Sequence, residues 1–381
     1  MNCVLCNASM ADDRSTCPCC GASCEAPRSS EQTGDSLDQC LPVGTSLLGG
    51  HYRTGRVLGQ GGFGVTYQGS DLSMHLPVAI KEFFPSGCFR QGSNLQPGRK
   101  NTSQEFAEQR VRFLDEARVL ARLNHPGIVR VYMAFEENNT AYMVMEYLRG
   151  QTLEARINER GRLGEDEVLV TFQKLADALE VVHGQGSEGI LHRDIKPSNI
   201  MVTPEGRVVL IDFGAARQFA ANLSRAMSQV LTPGYAPLEQ YSARARFGPP
   251  VDIYALGATI YHALTGEIPP EAVERSQGVE LKPPHRMCPL VSTRTSDAVM
   301  AAMEMVAAHR PQSITDLLGM LKSGPPPPNA PTPALGPPHG AAGAAHPVVK
   351  PKISPPATPK APSPSQEAEN PCQQVAWDHY E

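Results

Sequence analysis

The sequence predicts an α+β fold, with strands crowded into the first half of one compact body and helices dominating the second. Three observations carry this expectation. Apolar, β-branched segments of strand length, bounded by glycine-rich or polar turns, recur from Tyr52 to Met145, with one amphipathic helix among them. Longer apolar segments of helical length follow, at Ile253 to Leu264, Ser296 to Val306 and Ile314 to Leu321. Both flanks are unlike this body: the stretch from Glu25 to Leu48 is polar and short-side-chained, and proline is concentrated after Ser323. The 381 residues therefore divide into a cysteine-rich head (1–24), a flexible linker (25–50), a folded body (51–322) of roughly 270 residues and a disordered Pro/Ala-rich tail (323–381).

Bulk properties exclude several classes. The formal net charge of -5 and the absence of a dense Lys/Arg stripe argue against nucleic acid as the main partner. No run of about 20 apolar residues is present to span a membrane. The start Met1-Asn2-Cys3 lacks the basic-then-apolar pattern of a signal peptide and the glycine that myristoylation requires. These features predict a cytoplasmic protein.

Six of the ten cysteines fall between Cys3 and Cys24, which in a reducing compartment points to a metal rather than to disulfides. Cys3-Val4-Leu5-Cys6 and Cys17-Pro18-Cys19-Cys20-Gly21 supply two C-x2-C pairs, enough thiolates for a tetrahedral Zn²⁺ shell of Cys3, Cys6, Cys17 and Cys20. Cys19 and Cys24 compete for the fourth place, and a merely thiol-rich terminus is the rival reading. The unit resembles a short zinc ribbon; a segment this small gains its fold with its metal.

The first strand, Tyr52 to Leu58, runs into Gly59-Gln60-Gly61-Gly62-Phe63-Gly64-Val65-Thr66-Tyr67. Its glycines allow a tight hairpin whose backbone closes on an anion. A purely structural turn is the rival reading, and a dinucleotide site would require a helix next. A second strand follows instead, Leu76-Pro77-Val78-Ala79-Ile80-Lys81-Glu82, apolar around one lysine. Phe84 to Gln104 reads as a polar, Gly-rich loop. Phe106, Val111, Leu114, Leu120 and Leu123 then mark the amphipathic helix that carries Glu116. Two strands, Ile128 to Phe135 and Ala141 to Met145, flank the turn Glu136-Glu137-Asn138-Asn139.

The combination of the glycine hairpin, Lys81, Glu116 and the later His192-Arg193-Asp194-Ile195-Lys196-Pro197-Ser198-Asn199 with Asp212-Phe213-Gly214 resembles the protein kinase family, in its bacterial, eukaryotic-like serine/threonine branch. The resemblance implies a bilobed fold, with an antiparallel β lobe (about 51–147) and a larger helical lobe (about 148–322). It implies ATP, held by Gly59, Gln60, Gly61, Gly62, Phe63, Gly64, Thr66, Ala79, Lys81, Met145, Glu146, Leu148 and Met201, together with Mg²⁺ (or Mn²⁺) as the metal. Lys81 would pair the α- and β-phosphates and be held by Glu116. Met145 would be the gatekeeper, and backbone groups of Glu146 and Leu148 would meet adenine. Thr66 stands where the family often has valine.

Phosphoryl transfer passes through a loose transition state, so it needs positioning and charge neutralisation more than covalent help. By the resemblance, Asp194 orients the acceptor hydroxyl and takes its proton, Asn199 and Asp212 hold the metal, and Lys196 neutralises the migrating phosphoryl. A lysine in that place implies serine or threonine acceptors. His192 reads as a core residue, stacked with Phe213, Leu120 and Val131. Asp252 would bond the backbone around His192 and Arg193, or cap a helix.

The activation segment, Asp212 to Glu239, ends in Thr232-Pro233-Gly234-Tyr235-Ala236-Pro237-Leu238-Glu239, close to the family's T-P-x-Y-x-A-P-E with the second proline one place early. Glu239 would pair with Arg310, and Thr232 with Asp194 and Lys196. Arg193 before the base implies a loop ordered by phosphorylation, with Ser228 and then Ser224 as acceptors. The Pro-rich tail reads as a spacer, or as a partner-docking or phosphoacceptor segment. Protein substrates with Ser/Thr acceptors are the expected partners, with a further partner for the zinc ribbon or the tail. A pseudokinase scaffold is the alternative function, but it would be expected to lack Lys81, Asp194 or Asp212; a small-molecule kinase is disfavoured by Lys196 with Thr232.

Overall fold

The computed structural model describes residues 39–62, 64–98, 102–185, 189–213, 217–218, 231–242, 245 and 247–323. The cysteine-rich head, Phe63, Gly214, Ser224, Ser228 and the Pro-rich tail lie outside the described residues.

The amino-terminal lobe is one antiparallel sheet in the order β1-β2-β3-β4-β8-β7. Its strands are β1 (Ser46–Leu47), β2 (Tyr52–Gly61), β3 (Gly64–Asp71), β4 (Leu76–Phe83), β7 (Val131–Glu137) and β8 (Thr140–Glu146). The β7–β8 turn works because Asn138 and Asn139 adopt φ of 55° and 56°, a left-handed conformation that asparagine tolerates and two-residue hairpins favour. Two expectations are corrected here. The lobe begins before residue 51: Leu41 and Leu47 are buried and Ser46 pairs with Arg53, so the last part of the expected linker is sheet and core. The segment expected as a loop after Phe84 contains a hairpin, β5 (Phe89–Gln91) and β6 (Asn94–Gln96). Three-residue strands give no readable alternation, yet Leu95 is fully buried and its N–H donates to Asn138 O at 2.9 Å.

The helix of this lobe, α1 (Ser103–Leu120), starts at a capping box in which Thr102 and Glu105 satisfy each other's backbone N–H groups. It buries Phe106, Phe113, Ala117 and Leu120, and Phe106 and Phe113 meet Phe83 of β4 at ring separations of 5.5 and 5.7 Å. Val111, expected on the buried face, is exposed; the register that wins follows the aromatic side chains.

The second lobe carries β9 (Gln151–Thr152), α2 (Leu153–Arg160), α3 (Glu165–His183), β10 (Ile190–Leu191), β11 (Ile200–Val202), β12 (Val208–Leu210), β13 (Arg217–Gln218), α4 (Pro250–Thr265), α5 (Ala272–Ser276), α6 (Pro284–Met287), α7 (Thr293–Ala302) and α8 (Ile314–Ser323). Every residue of α4 from Val251 to Leu264 is buried, which makes it the central post of the lobe. The lobes are joined by hydrogen bonds as well as by the chain: Val129 N–H donates to Leu210 O at 3.0 Å and Leu210 N–H to Gly127 O at 2.9 Å.

Candidate active site

Register gathers the upper half of the site. Thr66 and Met143 stand opposite Lys81, and Met145 stands opposite Ala79; directly paired and alternate residues share a face, so these side chains line one side of the sheet. At the hairpin, a Cβ on Gly64 would strike Glu82 O at 2.2 Å, whereas Cβ atoms on Gly59 and Gly61 would meet nothing within 4 Å. Gly64 is thus required by the protein's own packing, and the other two leave an open backbone that an anion can approach.

The lower half is set by two devices. Strands β11 and β12 pair Ile200 with Leu210, and Ile211 N–H donates to Asn199 O at 2.9 Å, so Asn199 and Asp212 emerge at the same end of a hairpin. Buried Asp252 accepts from the N–H groups of His192 (2.9 Å) and Arg193 (2.7 Å) and is bonded to His183 Nε2 at 2.8 Å. Burial raises the Asp252 pKa, but His183 and the Arg193 N–H outweigh it and hold the carboxyl below its ordinary value. Asp252 lies within the first turn of α4, not at its cap, so of the two expected roles the backbone anchor is the one found. Arg193 and Asp212, with φ of 65° and 60°, are held in the left-handed region, a local strain that functional loops often retain.

Four side chains converge on the resulting centre. Asp194 Oδ1 accepts from Thr232 Oγ1 at 2.8 Å, and its Oδ2 from Asn199 Nδ2 and Lys196 Nζ, both at 2.9 Å. Lys196 Nζ also donates to Thr232 Oγ1 at 2.9 Å. His192 is buried and packs on Phe213 at 4.4 Å; burial drives its imidazole below the ordinary value.

The expected Lys81–Glu116 ion pair is corrected. Lys81 Nζ bonds Asp212 Oδ1 at 2.5 Å, while Glu116 Oε1 is buried with no hydrogen-bond partner. Two carboxyl groups compete for one ammonium, and the one on the strained turn at Asp212 has the contact. Burial lowers the Lys81 pKa, but Asp212 and Glu116 together hold it above its ordinary value. Burial, with Asp212 adding to it against the pull of Lys81, pushes Glu116 up to about 7.

The end of the activation segment is built as expected. Arg310 NH1 and NH2 grip Glu239 at 2.6 and 3.1 Å, and Arg310 also donates to the carbonyls of Pro250, Glu304 and Met305. Gly234, at φ 82°, approaches Ile268 and Pro269 so closely that a Cβ would lie 2.6 Å from Ile268 Cγ2. Tyr235 and His262 share a buried hydrogen bond of 2.7 Å. Sequence reasoning missed His183, His262 and Gln240, whose amide donates to Arg193 O at 3.0 Å. It also missed Arg207, which bonds Glu146 through both terminal nitrogens. None has a spacing signature; each acts through distant backbone or side-chain partners.

A family model described as protein kinase domain matches residues 52–321. Serine/threonine-protein kinase B of Synechocystis sp. is 30% identical over 317 residues, covering 80% of this chain and 51% of that protein. Serine/threonine-protein kinase PknA of Mycobacterium tuberculosis is 33% identical over 228 residues, covering 58% and 48%. The chain spans about half the length of these curated relatives. Among solved structures, PpkA-294 in its apo form is 33% identical with a TM-score of 0.65, over 74% of this chain and 99% of that one.

Proposed function

The chain belongs to the protein kinase family, and from that premise we propose that it moves the γ-phosphoryl of ATP onto serine or threonine hydroxyls of proteins. The observation that carries this reading is the convergence of Lys196, Asn199 and Thr232 on Asp194, with buried Lys81 bonded to the neighbouring Asp212. Asp194 orients the acceptor hydroxyl and takes its proton as the oxygen–phosphorus bond forms. Lys196 sits beside it to offset charge on the moving phosphoryl, and Lys81 binds the phosphates that stay behind. At the hinge, Glu146 N–H is committed to Arg130 O at 2.9 Å, so a contact to adenine there falls to its carbonyl.

Asn199 and Asp212 fit a hard divalent cation: both offer oxygen donors, they emerge at one hairpin end, and the Asp212 side chain is 45% exposed. A bound Mg²⁺ would neutralise phosphate charge. Of the two residues, Asn199 directs its amide N–H to Asp194, which orients the amide as a whole.

The test is to incubate the purified chain and an Asp194→Ala variant with labelled ATP and a cell extract. Acceptor proteins should lose label by about 10²–10⁴-fold with the variant; equal labelling by both proteins refutes the assigned base.

Finer features extend the same reading. The protein is cytoplasmic, autophosphorylates at Ser228 or Ser224, and carries a zinc ribbon on Cys3, Cys6, Cys17 and Cys20 that, with the Pro-rich tail, engages partners. No helix among the described residues is long and apolar enough to cross a membrane. Mass spectrometry of the intact, active chain should find one zinc ion and a phosphate on one of the two serines; a chain lacking either sinks the corresponding feature.

A further inference from the structure

Next to Lys81 on β4 lies a carboxylate that the reaction above does not use. Glu82 is fully buried, and strand alternation turns it to the face of the sheet opposite Lys81 and Phe83. There it is the hub of a polar network drawn from four parts of the chain. Its Oε2 accepts from Tyr67 of β3 at 2.8 Å and from Arg90 of the β5–β6 hairpin at 2.7 Å; its Oε1 accepts from Tyr142 of β8 at 3.1 Å. The network continues to the segment before β1. Leu41 N–H donates to the Tyr67 hydroxyl at 3.0 Å, and Arg90 donates through its backbone N–H to Gln39 Oε1 (3.0 Å) and through Nε to Gln39 O (2.8 Å).

Three physical points bear on what this network does. Burial, with Glu82's charge adding to it, raises the pKa of both phenols, so Tyr67 and Tyr142 remain hydrogen donors across the working pH range. The Glu82–Arg90 pair has side-chain exposures of 0% and 5%, and a buried ion pair fixes geometry more reliably than it adds stability. Phe83, the next residue, is wedged on the other face against Phe106 and Phe113 of α1. Strand β4 is therefore pinned on both faces within one residue of the lysine that must reach a phosphate.

We propose that Glu82, with Arg90 and the strap Gln39–Leu41, is a positioning residue for Lys81: it locks the register and height of β4, so that the ammonium stands where nucleotide phosphates bind. This rests on the kinase reading and goes beyond it, because the β5–β6 hairpin and the strap Gln39–Leu41, which precedes the family match at residue 52, then belong to the nucleotide-binding machinery.

The experiment uses the full chain. Removing one partner of a buried pair destabilises strongly, whereas replacing both by neutral groups of similar volume is close to neutral, so the informative variant is the double change Glu82→Gln with Arg90→Met. It should melt near the parent temperature, yet bind Mg·ATP at least about tenfold more weakly by calorimetry and show faster hydrogen exchange at the amides of β4. The KM for a protein acceptor should stay at the parent value. Tyr67→Phe, which removes one bond to Glu82 and the acceptor of Leu41 with almost no change of volume, should shift ATP binding in the same direction by a smaller factor. Parent-like nucleotide affinity in either folded variant overturns the positioning role. If the parent itself binds ATP but labels no protein, the kinase reading fails while the positioning role stands, so the two failures are distinguishable.

Discussion

Glu116 is where the charges of the site are least balanced. Its Oε1 is out of reach of any donor among the described residues, and its carboxyl is pushed from 4.5 up to about 7. Folding therefore takes up a proton at this residue between those two values, and this residue's own contribution to stability falls as pH climbs from about 4.5 to about 7, whatever buried His192 and His262 add in the opposite sense. In Glu116→Gln that dependence disappears: relative to this variant, the parent should lose melting temperature across the interval and be level above it. Parallel melting curves for the two proteins between pH 4.5 and 7 would show that the carboxyl is not held protonated. That Lys81, Asp194 and Asp212 belong to one centre was legible through the resemblance of their motifs to those of protein kinases, and the structure brings their charges together. Which carboxylate Lys81 chooses was not, because that depends on distances between segments 131 residues apart.

At the level of secondary-structure elements, the activation segment, α4 and the loop before α8 are tied by one side chain. Arg310 has no exposed side-chain surface and donates to Glu239 and three carbonyls, and its guanidinium lies over the Tyr254 ring at 4.9 Å. Arg310→Met strands a carboxylate and three acceptors together, so it should cost about 3–5 kcal/mol in urea unfolding. A loss under about 1 kcal/mol would mean that water replaces the guanidinium at little expense. The pairing of Glu239 with Arg310 could be read in the sequence, since both sit in recognisable motifs. Elements held by composition alone were harder. The apolar stripe Val168, Phe172, Leu175, Leu179 and Val182 of α3 is regular, but it carries no motif. The strap before β1 and the β5–β6 hairpin hide single buried residues, Leu41 and Leu95, in polar surroundings.

Across the whole folded body, the proposed nucleotide binding and phosphoryl transfer would depend on how the two lobes are held against each other, and one place where they are fastened is defined by hydrogen bonds. The segment Gly127 to Val129 is hydrogen-bonded to β12, so the carboxyl end of the α1 connection is fixed to the second lobe, which makes it the expected pivot for any turn of the sheet. Arg207 fastens the same place, with Nε on Pro126 O at 2.6 Å and both terminal nitrogens on Glu146 at 2.5 and 3.0 Å. Its side chain is 33% exposed and that of Glu146 25%, so water and salt temper the pair, and its contribution to stability should stay within about 1 kcal/mol. Its contribution to lobe geometry is a separate quantity. Arg207→Met should leave the melting temperature nearly unchanged and shift kcat and KM for ATP together, as changes at pivots do. Raising the salt concentration should move the parent's constants toward those of the variant and leave the variant's own constants in place. Steady-state kinetics at two ionic strengths would decide the matter, and a variant matching the parent at low salt would place the pivot elsewhere.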